Sequence, residues 1–125
     1  MKSILILGAG RSASSLIQYL IREANAQQWR ITIGDKDAAH AAAMVKEGAS
    51  VAKGVTLDAT DAKARGALIA KHDLVISMLP AFLHMDVVKD CIKLGKHVIT
   101  PSYVPDAMWA LDAEIKKANI VVMNE

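Results

Sequence analysis

The feature that most constrains the fold of this chain is an alternation between short apolar runs and longer amphipathic stretches. The runs are rich in β-branched residues and nearly continuous in hydrophobicity, as are strands buried on both faces of a parallel sheet. The stretches between them have the period of a helix, so the strands need crossover connections. We therefore predict an α/β fold of three layers, a doubly wound, six-stranded parallel sheet with strand order 3-2-1-4-5-6. The predicted strands cover residues 3–7, 30–33, 50–55, 73–77, 96–100 and 119–123.

Residues at the edges of the amphipathic stretches predict where helices begin and end. Gly48 and Gly95 stand just past two helices, and Pro105 stands at a first helical turn. Thr60 is predicted to cap the helix over residues 61–71. One further helix is predicted from an apolar stripe made of Met108, Leu111, Ile115 and Ala118.

Length and composition indicate a single globular domain over residues 1–125. With 53% hydrophobic and 22% charged residues, the chain is not disordered. The net charge is +2 and the basic residues are scattered, which argues against a nucleic-acid or anionic-membrane surface. Without a signal peptide or a run long enough to span a bilayer, we expect a soluble, cytoplasmic protein. The single cysteine, Cys91, is predicted to be reduced and buried, and no residue spacing indicates a metal site.

A glycine-rich turn joins the first predicted strand to the first helix. Gly8 permits the tight turn, Gly10 lets a pyrophosphate approach the backbone, and Ala13 lets the helix lie close to the sheet. The N–H groups of the first helical turn and the helix dipole then face the phosphates. The turn predicts a dinucleotide site in which Arg11 and Ser12 reach phosphate oxygens. A tight turn without a ligand is the alternative for the turn, and a solvated surface charge is the alternative for Arg11.

The residues after the second strand indicate which nucleotide binds. Asp35 lies about 20 residues past the glycine turn, where a carboxylate accepts hydrogen bonds from the ribose hydroxyls. It would repel a 2′-phosphate by about 4 kcal/mol at ~4 Å and an effective dielectric of about 20, although Lys36 would offset part of this. We predict NAD as the cofactor, with NADP second. Asp37 is predicted to cap the next helix.

Polar and proline-containing segments follow the third and fourth strands. For Asp58, contact with the adenine amino group and helix capping both remain open. Residues 77–80 break after the fourth strand and leave backbone groups at the crevice of the sheet. His84 is predicted to be a surface histidine at a helix N-terminus, with approach to the cofactor as the alternative. Trp29 and Trp109 are predicted to pack rather than to stack on a ligand, and no catalytic base is identifiable.

Four segments together resemble the saccharopine dehydrogenase family of the glutamate-forming type, also called saccharopine reductase. They are GAGRSAS, DLVISMLPAFLHMDVVKDCI, HVITPSYV and IVVMNE, and the resemblance covers essentially the whole chain. It implies an N-terminal Rossmann domain followed by a domain for substrate binding and dimerisation. It also implies hydride transfer between NAD(P) and the C–N bond of an amino-acid-derived secondary amine, such as saccharopine or carboxynorspermidine. We therefore expect the cofactor domain of a longer, homodimeric enzyme, ending where the substrate domain would follow and inactive alone.

The resemblance also implies individual site residues. Ser102 is expected to touch the substrate, while Pro101 stands where the family commonly has a small hydroxyl residue. The pair Asp35-Lys36 replaces a neutral residue followed by arginine in the NADP-using fungal enzymes, which again favours NAD. The alternative function is a regulatory nucleotide-sensing Rossmann module of the potassium-uptake type. The residues expected to bind the cofactor are Gly8, Ala9, Gly10, Arg11, Ser12, Asp35, Lys36, Asp58, Ala59, Leu79 and Thr100.

Overall fold

The computed structural model of the chain describes residues 2–45 and 50–124, except for the side chain of Arg11. The helix end predicted at Gly48 lies outside these residues. The strands are β1 Lys2–Leu7, β2 Trp29–Asp35, β3 Ala52–Thr56, β4 Leu74–Ser77, β5 His97–Ile99 and β6 Val122–Met123. The α-helices are α1 Ser14–Gln27, α2 Ala38–Met44, α3 Ala62–Ile69, α4 His84–Leu94, α5 Asp106–Trp109 and α6 Asp112–Ala118. Short 3-10 turns precede α1 and α4, at Arg11–Ala13 and Ala81–Leu83.

The strands form one six-stranded sheet in the order β3-β2-β1-β4-β5-β6, which confirms the predicted topology. All of its strand pairs are parallel. In the register, Leu7 at the end of β1 lies between Gly34 on β2 and Ser77 on β4. The carboxyl ends of these three central strands therefore meet at one edge of the sheet, the place where parallel α/β sheets bind ligands.

Two apolar clusters, one on each face of the sheet, give the protein its three layers. Ile4 and Ile6 of β1 belong to the cluster that contains Ile17 of α1 and Ala41 of α2. The alternate residues of β1, Leu5 and Leu7, belong to the cluster on the other face, which contains Ile69, Val75, Val87, Val88 and Val98. Because β1 is buried on both faces, its sequence is a continuous apolar run and not an alternating one.

The helix ends confirm two of the predicted signals and correct a third. Gly95 ends α4 in the left-handed conformation, with φ +71°. The carboxylate of Asp37 caps α2 by accepting the N–H of His40 at 3.1 Å. The prediction that Thr60 caps α3 was wrong, because Asp61 accepts the N–H of Ala64 and is the cap.

The last predicted helix is divided in two. Helices α5 and α6 are separated at Ala110 and Leu111, and Met108 and Leu111 still pack on the same apolar cluster. Trp109 is 65% exposed, so the prediction that it packs was wrong, whereas Trp29 packs against the core as predicted. Cys91 is buried, also as predicted, and burial raises the pKa of its thiol to about 12. No helix within residues 2–45 and 50–124 has the length and apolar composition needed to cross a bilayer.

Helix α2 lies directly on strand β3 at one glycine. A Cβ atom added to Gly54 would come within 2.8 Å of the carbonyl carbon of Ala41 and 2.9 Å of its Cβ atom. Real Cβ atoms do not approach backbone this closely, and the contacted atoms belong to the helix itself. The absence of a side chain at position 54 therefore sets how near α2 can lie to the sheet.

Candidate cofactor site

A cleft of about 580 Å³ lies at the carboxyl edge of the sheet, where β1, β2 and β4 meet. It brings together most of the residues expected from the sequence, including the glycine turn, Asp35 and Leu79. Thr100 and Ser102 are not among its lining residues, and the side chain of Arg11 lies outside the described part of the chain. The lining residues are Gly8, Ala9, Gly10, Ser12, Gly34, Asp35, Lys36, Leu57, Asp58, Ala59, Thr60, Met78, Leu79, Pro80 and Leu83.

The first glycine of the turn is held between the neighbouring strands. Gly8 has φ +96°, and its N–H donates to the carbonyl of Gly34 at 2.8 Å. A Cβ atom at this position would lie 2.9 Å from the carbonyl oxygen of Met78. On the same side, the N–H of Met78 donates to the carbonyl of Leu7 at 2.8 Å. Only glycine fits this conformation and this spacing together.

The second glycine faces open space. No heavy atom outside its chain neighbours lies within 4 Å of a Cβ atom built on Gly10, which lines the cleft. Its carbonyl accepts the N–H of Ala13 at 3.0 Å, and this closes the turn that leads into α1. Ala13 stands at the N-cap position, where its methyl side chain cannot accept a hydrogen bond. A phosphate at the end of this helix would supply the acceptor that the side chain lacks.

The carboxylate of Asp35 connects the end of β2 to the glycine turn. Its Oδ1 atom accepts the N–H of Ala9 at 3.3 Å, and its Oδ2 atom accepts the N–H of Asp37 at 3.3 Å. The Nδ1 atom of His40, a residue that sequence analysis did not single out, lies 4.0 Å from Oδ2. Each carboxylate oxygen can accept a further hydrogen bond, so Asp35 can serve ribose hydroxyls while it stays anchored.

The loop after β3 is shaped by an internal hydrogen-bonded turn. The Oδ1 atom of Asp58 accepts both the hydroxyl of Thr60, at 2.6 Å, and its N–H, at 3.0 Å. These bonds hold the pKa of Asp58 below its usual range. Helix capping, one of the two roles left open for Asp58, falls to Asp61. Contact between Asp58 and the adenine stays a prediction.

A buried arginine fixes this loop from behind. The Nη1 atom of Arg65 donates to the carbonyl of Ala59 at 2.7 Å, and its Nε atom donates to the carboxylate of Asp90 at 2.6 Å. Arg65 lies on α3 and Asp90 lies on α4, so the pair joins the two helices behind the cleft. Sequence analysis missed both residues, since their separation of 25 positions carries no local signal.

His84 is buried, so the prediction that it lies on the surface was wrong. It is 4% exposed, and its Nδ1 atom shares a hydrogen bond of 2.8 Å with the hydroxyl of Ser77. Ser77 is the last residue of β4 and His84 is the first residue of α4. Neither side chain lines the cleft, but four of the six residues between them do. The signal that could have identified His84 is its position on the apolar side of the helix, beside Val87 and Val88.

Acidification is expected to destabilise the protein through its two buried histidines. Burial lowers the pKa of both His72 and His84, whose ordinary value is 6.5. The native state therefore binds fewer protons than the unfolded chain, and the free energy of unfolding falls as the pH drops below about 6.5 through the lower native pKa values. Urea unfolding at about pH 7.5 and at about pH 5.5 would measure this loss of stability. Both pH values lie above the range in which ordinary carboxylates titrate. The variant His72→Asn with His84→Asn should lose less stability between these two pH values, and equal losses would contradict the assignment.

Thr100 and Ser102 lie beyond the cleft at the end of β5. The buried Oγ1 atom of Thr100 accepts the amide of Asn124 at 2.9 Å and the N–H of Ser102 at 3.4 Å. The N–H of Thr100 donates to the carbonyl of Met123 at 2.9 Å. These contacts join β5 to the segment around β6. Within the described residues, no three of the His, Cys, Asp and Glu side chains come together as metal ligands could.

Comparison with known proteins shows to which family the chain belongs. Residues 4–123 match the family described as the saccharopine dehydrogenase NADP binding domain. The chain belongs to this family. Among relatives, it is 38% identical over 124 residues to the NADP-dependent, glutamate-forming saccharopine dehydrogenase of Saccharomyces cerevisiae, covering 99% of this chain and 27% of that enzyme. It is 34% identical to the alpha-aminoadipic semialdehyde synthase of Arabidopsis thaliana, covering 98% of this chain and 13% of that protein.

A solved structure of a family member has the same fold as this chain. The apo structure of the glutamate-forming enzyme from Saccharomyces cerevisiae superposes with a TM-score of 0.90 at 36% identity, over 100% of this chain and 27% of that one. The resemblance stated from the sequence is thereby confirmed, and the potassium-regulator alternative gains no support. The chain spans about a quarter of the length of its fungal relatives. The activity of those whole enzymes is therefore only proposed for it.

Proposed function

We propose that this chain is the cofactor-binding domain of an oxidoreductase that acts on a C–N bond of an amino-acid-derived secondary amine or its imine. The observation that carries the proposal is one cleft in which the glycine turn, the anchored carboxylate of Asp35 and the loop after β4 converge. A nicotinamide dinucleotide bound there would supply the hydride acceptor or donor. The backbone turn at Gly10 would hold its pyrophosphate, and Asp35 would bind the adenosine ribose.

Within the family's nicotinamide chemistry, we propose that this chain prefers NAD to NADP. The names of its fungal relatives specify NADP, and the family description does also. Here, however, the position that we propose for the ribose holds the carboxylate of Asp35, which accepts hydrogen bonds from the N–H groups of Ala9 and Asp37. A 2′-phosphate would meet that negative charge at close range, and among the described side chains that line the cleft only Lys36 carries a compensating charge. Repulsion of this kind is reduced by solvent but is not abolished at a partly buried site.

The cofactor preference is tested by fluorescence titration of the chain with NADH and NADPH. We expect NADH to bind about tenfold more tightly, which corresponds to about 1.4 kcal/mol. Replacing Asp35→Asn should remove most of this difference, because the amide cannot repel a phosphate. Asp37→Asn is the matched control, since an asparagine still caps α2 and the ratio should stay unchanged. Tighter binding of NADPH by the unsubstituted chain would reverse the preference, and failure to bind either cofactor would reject the proposed function.

The proposal extends to the longer enzyme in which such a domain acts. We propose a homodimeric, cytoplasmic enzyme in which a second domain binds the substrate. The buried, unpaired thiol of Cys91 is compatible with a reducing compartment. Ser102 is proposed to touch the substrate, and Thr100 to lie beside the nicotinamide, as the family resemblance implies. The catalytic acid and base are not assigned to residues of this chain.

A further inference from the structure

We infer that the buried hydrogen bond between Ser77 and His84 positions the loop of residues 78–83 against the cofactor, so that the pair governs cofactor affinity without touching the ligand. The inference rests on the proposed function, because it assigns a role in nicotinamide dinucleotide binding. Both residues lie outside the cleft lining, and they flank a loop that supplies several lining residues: Met78, Leu79, Pro80 and Leu83.

The bond joins the two ends of this loop. Ser77 ends β4 and His84 begins α4, and the distance between the Ser77 Oγ and His84 Nδ1 atoms is 2.8 Å. Within the loop, the N–H of Leu83 donates to the carbonyl of Pro80 at 2.9 Å. At its start, Met78 donates to Leu7 and approaches Gly8 closely. The side-chain bond therefore closes a short segment whose beginning is already fixed to the glycine turn.

Burial gives the bond its importance. Ser77 is fully buried and His84 almost so. A buried polar group that loses its partner destabilises the folded state, and a displaced loop would relieve this by letting water reach the group. Since burial also favours the neutral imidazole, the pair can form without a charge in the interior. A shift of the loop would move backbone groups that face the cleft. Small displacements of such groups lower the affinity for a ligand.

The experiment measures the Kd for NADH or NADPH, whichever the unsubstituted 125-residue chain binds more tightly, beside its free energy of unfolding. Ser77→Ala removes one atom and should raise the Kd about fivefold or more. His84→Asn keeps a hydrogen-bonding atom near the position of Nδ1 and should restore binding to within about twofold. His84→Gln places its amide near the position of Nε2 and should resemble Ser77→Ala. The double variant that carries both Ser77→Ala and His84→Gln should bind the cofactor no more weakly than either single variant, since both substitutions remove the same hydrogen bond.

His72→Asn is the matched control for the loss of a buried histidine. His72 is also buried, bonds through Nδ1 to the carbonyl of Leu68 at 2.8 Å, and precedes β4 at the opposite edge of the sheet. It should change stability but leave the Kd unchanged. Unaltered cofactor affinity in Ser77→Ala would overturn the inference even if His84→Gln failed to fold. Equal effects of His84→Asn and His84→Gln would also overturn it. A chain that bound neither cofactor before substitution would instead reject the proposed function, and the inference with it.

Discussion

Replacing Gly8 by alanine is expected to destabilise the protein by about 3 kcal/mol and to abolish cofactor binding. Two independent causes act together. The residue has φ +96°, where an L side chain is strained, and the new Cβ atom would lie 2.9 Å from the carbonyl oxygen of Met78 and 3.0 Å from its carbonyl carbon. Both contacted atoms are backbone, so the turn or the loop after β4 must move. Urea unfolding gives the loss of stability, and titration with NADH and NADPH gives the loss of affinity.

Gly10→Ala is the matched control, with a different expected result. A Cβ atom there meets no heavy atom within 4 Å, so the free energy of unfolding should stay within about 0.5 kcal/mol of the unsubstituted chain. The same methyl group projects into space that we assign to the pyrophosphate, and the affinity should fall about tenfold or more. If Gly10→Ala bound the cofactor normally, the phosphate site would not lie against this turn. If Gly8→Ala were as stable as the unsubstituted chain, the close approach to Met78 would be wrong.

Replacing Arg65→Met should cost about 3 kcal/mol of stability and weaken cofactor binding. The change leaves the carboxylate of Asp90, whose side chain is only 22% exposed, without its partner, and it also removes the donor to the carbonyl of Ala59. The loop containing Asp58 then loses its support from behind. The measurements are urea unfolding and NADH titration.

A surface ion pair in the same protein gives the control for Arg65. The Nζ atom of Lys116 lies 2.9 Å from the Oδ2 atom of Asp112 on one face of α6, but the two side chains are 75% and 51% exposed. Lys116→Met should therefore change stability by less than about 0.5 kcal/mol, because water screens exposed pairs and solvates the remaining charge. A similar loss in both variants would mean that burial does not decide the strength of the Arg65 pair.

The sheet could be predicted because its signal is repeated along the chain. Each strand is a short apolar run, and the strand order follows once crossovers are right-handed, so errors at single positions did not change the topology. Local competition between neighbours was harder to judge. Thr60 and Asp61 are both good caps, and the choice depends on the Asp58 carboxylate binding the Thr60 hydroxyl. The break between α5 and α6 gave no glycine or proline signal.

The same distinction applies to the residues of the site: some depend on local sequence, and others depend on how distant elements pack. That the glycine turn and Asp35 lie together in one cleft could be predicted, because both directly follow strands that the sequence shows. The pairing of Arg65 with Asp90, and of Ser77 with His84, could not be predicted, because each hydrogen bond depends on how helices pack, although the apolar face of α4 did indicate burial of His84. His84 was placed on the surface from its position at a helix start, whereas packing of α4 on the sheet buries it.

The missing side chain at Gly54 has a consequence for how cofactor preference could change over evolution. Helix α2 begins immediately after Asp35 and Asp37, and its height above the sheet is set by the contact between Ala41 and Gly54. A methyl group at position 54 would push α2 away from the sheet and shift the segment that carries Asp35, the carboxylate proposed to bind the ribose. Discrimination between NAD and NADP could thus drift through a substitution that no ligand ever contacts. Members of this family that differ in cofactor preference should therefore be compared at position 54, as well as at the positions of Asp35 and Lys36.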